Sequence, residues 1–426
     1  MLLIADHPLR HSLANELHAR PFSSVAAPSQ AIYLAMKPAH SVASPDRAAE
    51  MAHLIALLDS FGADHPQPDA THFSAKIGQY ALKWESHTEF VTFTIFNENP
   101  VDKPFGANAF SIFPDEWLAA APGARITSAL INVEVAESDL GIREKAADWF
   151  VPESLAISRV LDDALVVAAD FRIDHNGHMR FAVFARPETG NRRIGRVVQR
   201  LCEIETYKAM AMFGLTTARE MGPNLTSIDA RLTHLLSDMS GITSDPADVL
   251  MRLLEISTEI ESIGANAAYR FAATQAYEKI VNQRIEVLRE ESFHGRQSFG
   301  EFMMRRFDPA MRTVNAMQRR LDAMSARALR AGELLRTRVD VARSAQNQAL
   351  LTSMDKRADQ QLRLQKTVEG ISVVAISYYA VNIALYVLGP FSGAYDLSKT
   401  TVAALVTPVV IACVWLMVRR VHKHME

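Results

Sequence analysis

The chain is nearly free of cysteine: its 426 residues include only Cys202 and Cys413. Two thiols so far apart supply neither metal-ligand spacing nor a disulfide framework, which points to a reducing cytoplasm. The glycine-rich phosphate loop, the Gly-x-Ser-x-Gly turn of hydrolases and the Cys-x-x-Cys redox pair are also missing. Charge of one sign is lacking too. A formal net charge of −3 argues against a general nucleic-acid binder. The start, Met1 to Asp6, has no basic region and few apolar residues, so no signal peptide is expected. These absences leave no catalytic signature. The expectation is a protein that is not an enzyme, has no cofactor and has no nucleic-acid partner.

What the chain does have lies at its C-terminal end. Two apolar runs, Ile371 to Leu388 and Val402 to Val418, flank a Gly-, Pro- and Ser-containing segment from Gly389 to Thr401. Each run holds roughly the residues a helix needs to cross about 30 Å of hydrocarbon. Arg419, Arg420 and Lys423 follow directly. The reading is a two-helix transmembrane hairpin in the bacterial inner (cytoplasmic) membrane, with the N-terminal body and the basic tail both cytoplasmic by the positive-inside rule.

Residues 1–187 mix strand and helix patterns. Ala31–Met36, Ser74–Trp84 and Glu89–Phe96 read as strands, the last two forming a hairpin through residues 85–88. Arg47–Leu58 is an amphipathic helix, Asp115–Ala120 a short one, and Ile126–Val135 another strand. A hairpin joins Leu165–Ile173 to His178–Ala185, with Asn176-Gly177 in its turn. This order predicts an α+β domain with a mixed sheet covered by helices on one face.

After Pro187 helical patterns take over. One helix spans Arg192–Arg219 and stops at Gly222-Pro223, and the next runs from Asn224 to about Gly241. Asp245-Pro246 signals a fresh start. The helix that follows carries a seam through Val249, Leu253, Ile256, Ile260, Ile263 and Ala267 and on to Leu288, with a break at Phe293-His-Gly295. A final helix leads from about Ser298 towards the first apolar run, with Pro309 kinking it or marking its true start. Between Arg296 and Lys366 fifteen Lys and Arg face seven Asp and Glu. That surplus suits an anionic lipid surface or simply a solvated helix. Three regions result: 1–187, the cytosolic α+β domain; 188–366, a helical coiled-coil stalk; and 367–426, the hairpin with its basic tail.

Candidate site residues fall in two places. The N-terminal segment holds His7, Arg10, His11, Asn15, Glu16, His18 and Arg20. On a helix His7 and His11 are one turn apart and could share a metal. His18 lies two turns on, about 10 Å further along the axis. An anion or nucleotide site and a polar helix docked on the sheet are the other readings. In the first apolar run, Glu369, Ser372, Ser377, Tyr378, Asn382 and Tyr386 are polar, and Tyr378, Asn382 and Tyr386 share one face. Such a stripe marks a helix–helix interface or a pore lining. His72, His87, His175 and His178 are scattered on strand ends or turns, and most of them read as surface residues. Asp162-Asp163 with Asp170 and Asp174 would suit a divalent cation if folded together, against the plainer reading of solvated loops.

The segments His7-Pro-Leu-Arg, Asn15-Glu-Leu-His-Ala-Arg-Pro-Phe22, Glu333 to Val341 and Val368 to Tyr379 resemble a bacterial family of uncharacterised membrane-anchored proteins, a domain-of-unknown-function family. The resemblance spans essentially the whole chain and implies no activity. In layout alone the chain resembles the CorA-type magnesium channels, pentamers whose first span lines the pore. It also resembles a mitochondrial membrane-anchored family linked to translation. Where the CorA type carries Gly-Met-Asn, this chain has Leu388-Gly-Pro-Phe391. The CorA resemblance implies a homo-oligomer in lipid that moves or senses a divalent cation. The leading expectation is a CorA-like oligomeric cation transporter or channel; the alternative, supported by the missing tripeptide and the long seams, is a non-conducting membrane-anchored scaffold or tether whose cytosolic domain binds a partner.

Overall fold

The computed structural model describes residue 4, residues 6–11, residue 14, and residues 22–38, 46–99, 103–239, 246–392 and 399–425. Its first unit covers residues 1–242 and 251–331, its second residues 243–250 and 332–426.

The first unit is organised by strand β1, Ser29–Lys37, which is buried along its whole length. Its sequence explains why. Ile32, Leu34 and Met36 alternate with Ala31, Tyr33 and Ala35, so both faces are apolar, the mark of a strand covered on both sides. After it come α1 (Arg47–Ser60), β2 (His72–Ile77), β3 (Tyr80–Ser86), β4 (Val91–Asn97), α2 (Asp115–Ala119), β5 (Ala124–Val135), α3 (Asp139–Trp149), β6 (Ala156–Val160), β7 (Leu165–Ala169) and β8 (Met179–Ala185). With β9 (Glu291–Ser292) they form one sheet in the order β2-β3-β4-β1-β5-β8-β7-β6-β9. The β5–β8 pair is parallel and the other pairs are antiparallel. The expected mixed sheet is therefore present.

Helices cover both faces of it, not one. Leu54, Leu57 and Leu58 of α1 pack with Trp117 against Ile32, Leu34 and Leu130, and Ile142 and Ala146 of α3 pack against Val166 and Phe184. The opposite face carries α4 (Asn191–Asp238), α5 (Pro246–Glu286), α6 (Phe299–Arg306) and the first part of α7 (Asp308–Ser392). Ile194, Leu201, Phe271, Phe299 and Val314 lie in one apolar cluster with Ala31, Ile131 and Val133.

Several expectations change. Ser74–Trp84 is two strands, because Gly78 at φ +58 turns the chain between β2 and β3. Strands β6 and β9 and helix α3 carried too short a pattern to be read. The α5 helix ends at Glu286 rather than near Ser292. The chain does not stop at Gly222-Pro223: α4 runs straight through Pro223. An interior proline costs about 3 kcal/mol. Here burial of Leu215 and Ala218 before it, and of Leu225, Ile228 and Leu232 after it, accompanies an unbroken helix. Asp245, the expected helix start, lies outside the described residues.

The α5 seam is filled within the chain. Leu253, Ile256, Ile260, Ala267, Thr274, Val281 and Leu288 are all buried. At the α4–α5 crossing a side-chain carbon on Gly214 would lie 2.3 Å from Thr274, so only glycine allows the approach. Ion pairs fix the register: Arg231 forks onto Glu259 with two bonds of 2.8 Å, and Arg320 reaches Asp229 at 3.3 Å. The α4, α5 and α7 helices thus form a bundle layer in which α4 runs parallel to α7 and antiparallel to α5. Helix α6 starts with a capping box between Ser298 and Glu301.

In the second unit α7 is helical to Ser392, beyond the expected end at Leu388, and α8 runs from Lys399 to Met425. The six residues between them lie outside the described set.

Candidate functional site

Strands β3 and β4 are unusual in one respect. Their apolar residues Leu82, Trp84, Phe93 and Ile95 join the α1 side of the core. On the other side Lys83, Thr92 and Thr94 are polar and still buried. Helix α4 covers this polar strip, leaving a pocket of about 230 Å³. A chain of charged groups runs through it. Lys83 Nζ sits 3.2 Å from Glu85 Oε1 and donates to Gln199 Oε1 at 2.9 Å. Gln199 Nε2 donates to Glu203 Oε1 at 2.9 Å, and Arg284 Nε donates to Glu203 Oε2. The Lys83–Glu85 contact is an ion pair by distance only, since Glu85 Oε1 accepts no aligned hydrogen bond.

The remaining lining is hydroxylic and aromatic. The Tyr33 hydroxyl pairs with Thr206 Oγ1 at 2.6 Å, and burial pushes its pKa well above the ordinary tyrosine value. The His87 ring stacks on Phe90 at 4.4 Å, and Tyr207 meets Phe90 edge-on at 5.8 Å. Burial also pushes the Cys202 thiol far up, so it is an inert thiol at neutral pH. The pocket's end is set by Gly195, where a side-chain carbon would lie 1.8 Å from the Ser23 carbonyl. Replacing Gly195 with alanine is expected to displace residues 22–25 and cost about 1–3 kcal/mol. A melting curve and faster proteolysis near Ser23 would register this; an unchanged melting temperature would refute the close approach.

A second polar concentration ties α5 to the sheet. Glu89, 2% exposed, holds both Nη groups of Arg270 and accepts from the Tyr277 hydroxyl at 2.7 Å. Lys37 Nζ lies 3.9 Å away. Burial lowers the Lys37 pKa, with Glu89 opposing that shift, and burial together with Glu89 pushes the Tyr277 hydroxyl up.

The residues singled out from the sequence are placed as follows. His7 and His11 do not converge: His7 Nδ1 accepts from the Leu9 amide at 3.2 Å, while His11 lies 3.5 Å from Asp6. Arg10 pairs with Asp6 as well. The helix starts at Arg10, so His7 lies before it and the two rings do not share a helical face. Asn15, Glu16, His18 and Arg20 lie outside the described residues. The aspartates meet cations and amides instead of gathering. Asp163 pairs with Arg159 and Arg186, Asp170 with Arg180, and Asp174 accepts from the turn amides of Asn176 and His178. Among the described residues no group of three or more His, Cys, Asp or Glu could hold a metal.

His178 is not a surface residue. It is buried, stacked on Phe110 at 4.1 Å and 2.8 Å from Ser128 Oγ. Burial, then Arg125, lowers its pKa. The Ser128–His178 pair has nucleophile–base spacing, but both are core residues.

In α7, Ser372 donates to the Val368 carbonyl and Asn382 to the Tyr378 carbonyl, so these polar groups are met by their own helix. Glu369 accepts from Gln365 at 3.1 Å. Tyr378 and Tyr386 are 66% and 84% exposed. The shielded polar position is Ser377, whose hydroxyl has no partner.

The fold defines a class: a nine-stranded mixed-sheet head with helices on both faces, followed by two long apolar helices. Residues 5–425 match the family described as "Protein of unknown function (DUF3422)", and the chain belongs to that family. No curated protein and no solved structure matches it. The likeness to CorA-type channels therefore rests on sequence layout alone.

Proposed function

We propose that this is a membrane-anchored protein whose head does the binding and whose two apolar helices anchor it without conducting ions. The observation that carries the reading is the exposure of the two helices. Their apolar windows have mean hydropathies of 1.9 and 2.4, and 6% and 0% of their residues are buried. Apolar surface left in water costs about 25 cal/mol per Å², so helices this bare call for lipid. Arg419 and Arg420 at the end of α8 support, by the positive-inside rule, a reading in which that end and the head lie on the cytoplasmic side of an inner membrane. The reading assigns the head no catalysis.

One observation favours a second reading. Tyr378 and Tyr386 point away from the rest of their chain, where copies in a homo-oligomer would share them around a cation path. Both readings make the protein resist extraction from membranes by alkaline carbonate; release into the supernatant would refute them together. Flux of magnesium, nickel and potassium into sealed liposomes then separates them. The anchor reading expects no flux from a correctly oriented protein. Flux that changes in Asn382→Leu would replace it with the channel.

A further inference from the structure

The pocket under α4 presents one buried acceptor without an aligned hydrogen bond and one guanidinium with donors to spare. At one end Glu85 Oε1 is buried without an aligned hydrogen bond, its contact with Lys83 at 3.2 Å being an ion pair by distance only. At the other end Arg284 engages Glu203 through Nε, leaving the paired Nη donors, the fork that suits a carboxylate. The two cations and two carboxylates of the chain between them cancel. A bare anion or a bare cation meets no net attraction there, whereas a molecule carrying both charges meets a partner for each. The volume of about 230 Å³ is far more than the roughly 10–15 Å³ that a single water needs. A small ligand with one short side group fits that space. Phe90, Tyr207 and His87 offer an apolar wall for the side group.

We propose that this pocket binds a small zwitterion of the amino-acid class, with its ammonium on Glu85 and its carboxylate on Arg284. The ammonium supplies the donor Glu85 lacks, and charge-assisted bonds at both ends fix its direction. A head that recognises such a molecule is a sensor or carrier of it on an anchored protein. This extends the anchor reading but fails separately: extraction tests the anchor, calorimetry tests the pocket.

The test uses the full chain in detergent, titrated with the common amino acids. Butylamine and butyrate serve as probes carrying one charge each. The expected result is saturable binding and a raised melting temperature with at least one amino acid, and neither with the two single-charge probes. Glu85→Gln should weaken binding about tenfold. Thr94→Leu fills the pocket from β4 without touching the charged chain and should abolish binding while the ligand-free melting temperature stays near that of the parent. Three results overturn the proposal: no amino acid binds, butyrate binds as well as any amino acid, or binding survives both substitutions.

Discussion

Replacing Glu89 with alanine is expected to destabilise the head by about 3–5 kcal/mol. The carboxylate is buried and is the shared partner of Arg270, Tyr277 and Lys37. Removing it strands two cations that are largely withdrawn from solvent, with side chains 9% and 12% exposed. Arg270 would keep its ring contacts with Phe213 and Tyr269, at 5.7 and 5.6 Å, but these are worth far less than a buried ion pair. Because Arg270 and Tyr277 sit on α5 and Lys37 ends β1, the loss should loosen α5 from the sheet before the sheet itself opens. Chemical denaturation followed by tryptophan emission would measure it, since Trp84, Trp117 and Trp149 all lie in the head. Adding Lys37→Met and Arg270→Met to Glu89→Ala should recover part of the loss, because the stranded charges go with it. A single-variant loss below about 1 kcal/mol would show the cluster to be solvated.

Acid should weaken the head through His53. This ring stacks on Trp117 at 4.0 Å, its Nε2 is buried without a partner, and burial lowers its pKa to about 4. The unfolded imidazole titrates near 6.5, so between about pH 6.5 and 4 the unfolded chain binds a proton that the fold refuses. Stability therefore falls as pH drops through that window and is unaffected above it. At about 1.36 kcal/mol per pKa unit, the shift from 6.5 to about 4 amounts to roughly 3 kcal/mol at the acid end. Glu50, one turn earlier on α1, has its pKa raised by burial and lowered back in part by Ser86. It contributes stability at low pH that is lost as pH rises through its raised pKa, so it offsets part of the His53 loss within the same acid window. His53→Phe keeps the stack on Trp117 and should flatten the stability profile between pH 6.5 and 4. An unchanged acid slope in that variant would place the titrating group elsewhere.

The most informative mismatch between sequence and structure lies on β3 and β4. Leu82 and Trp84 alternate with Lys83 and Glu85 along β3. Alternation says which residues share a face, not what lies over it. With α4 laid across that face, the same residues line a buried pocket, and nothing local in the sequence announces it. The clue available was small: Lys83, Glu85, Thr92 and Thr94 are polar at matching positions of two strands that pair directly. Glu89 was similarly hidden, as a single carboxylate at the head of an apolar strand, because its partners lie 181 and 188 positions away. Pro223 misled for the opposite reason. A local rule was followed, while burial on both sides of the proline overrode it.

The sequence by itself determined most of the element types, the mixed sheet, the long helices and the two apolar runs. These depend on period, turn chemistry and length, which are properties of neighbouring residues. The tertiary structure alone decided that both faces of the sheet are covered, that the α5 seam is filled by α4 and α7, and that the N-terminal histidines part company. It also decided where the buried charges meet. These depend on which surfaces find each other across hundreds of residues, where desolvation and packing outweigh local preference.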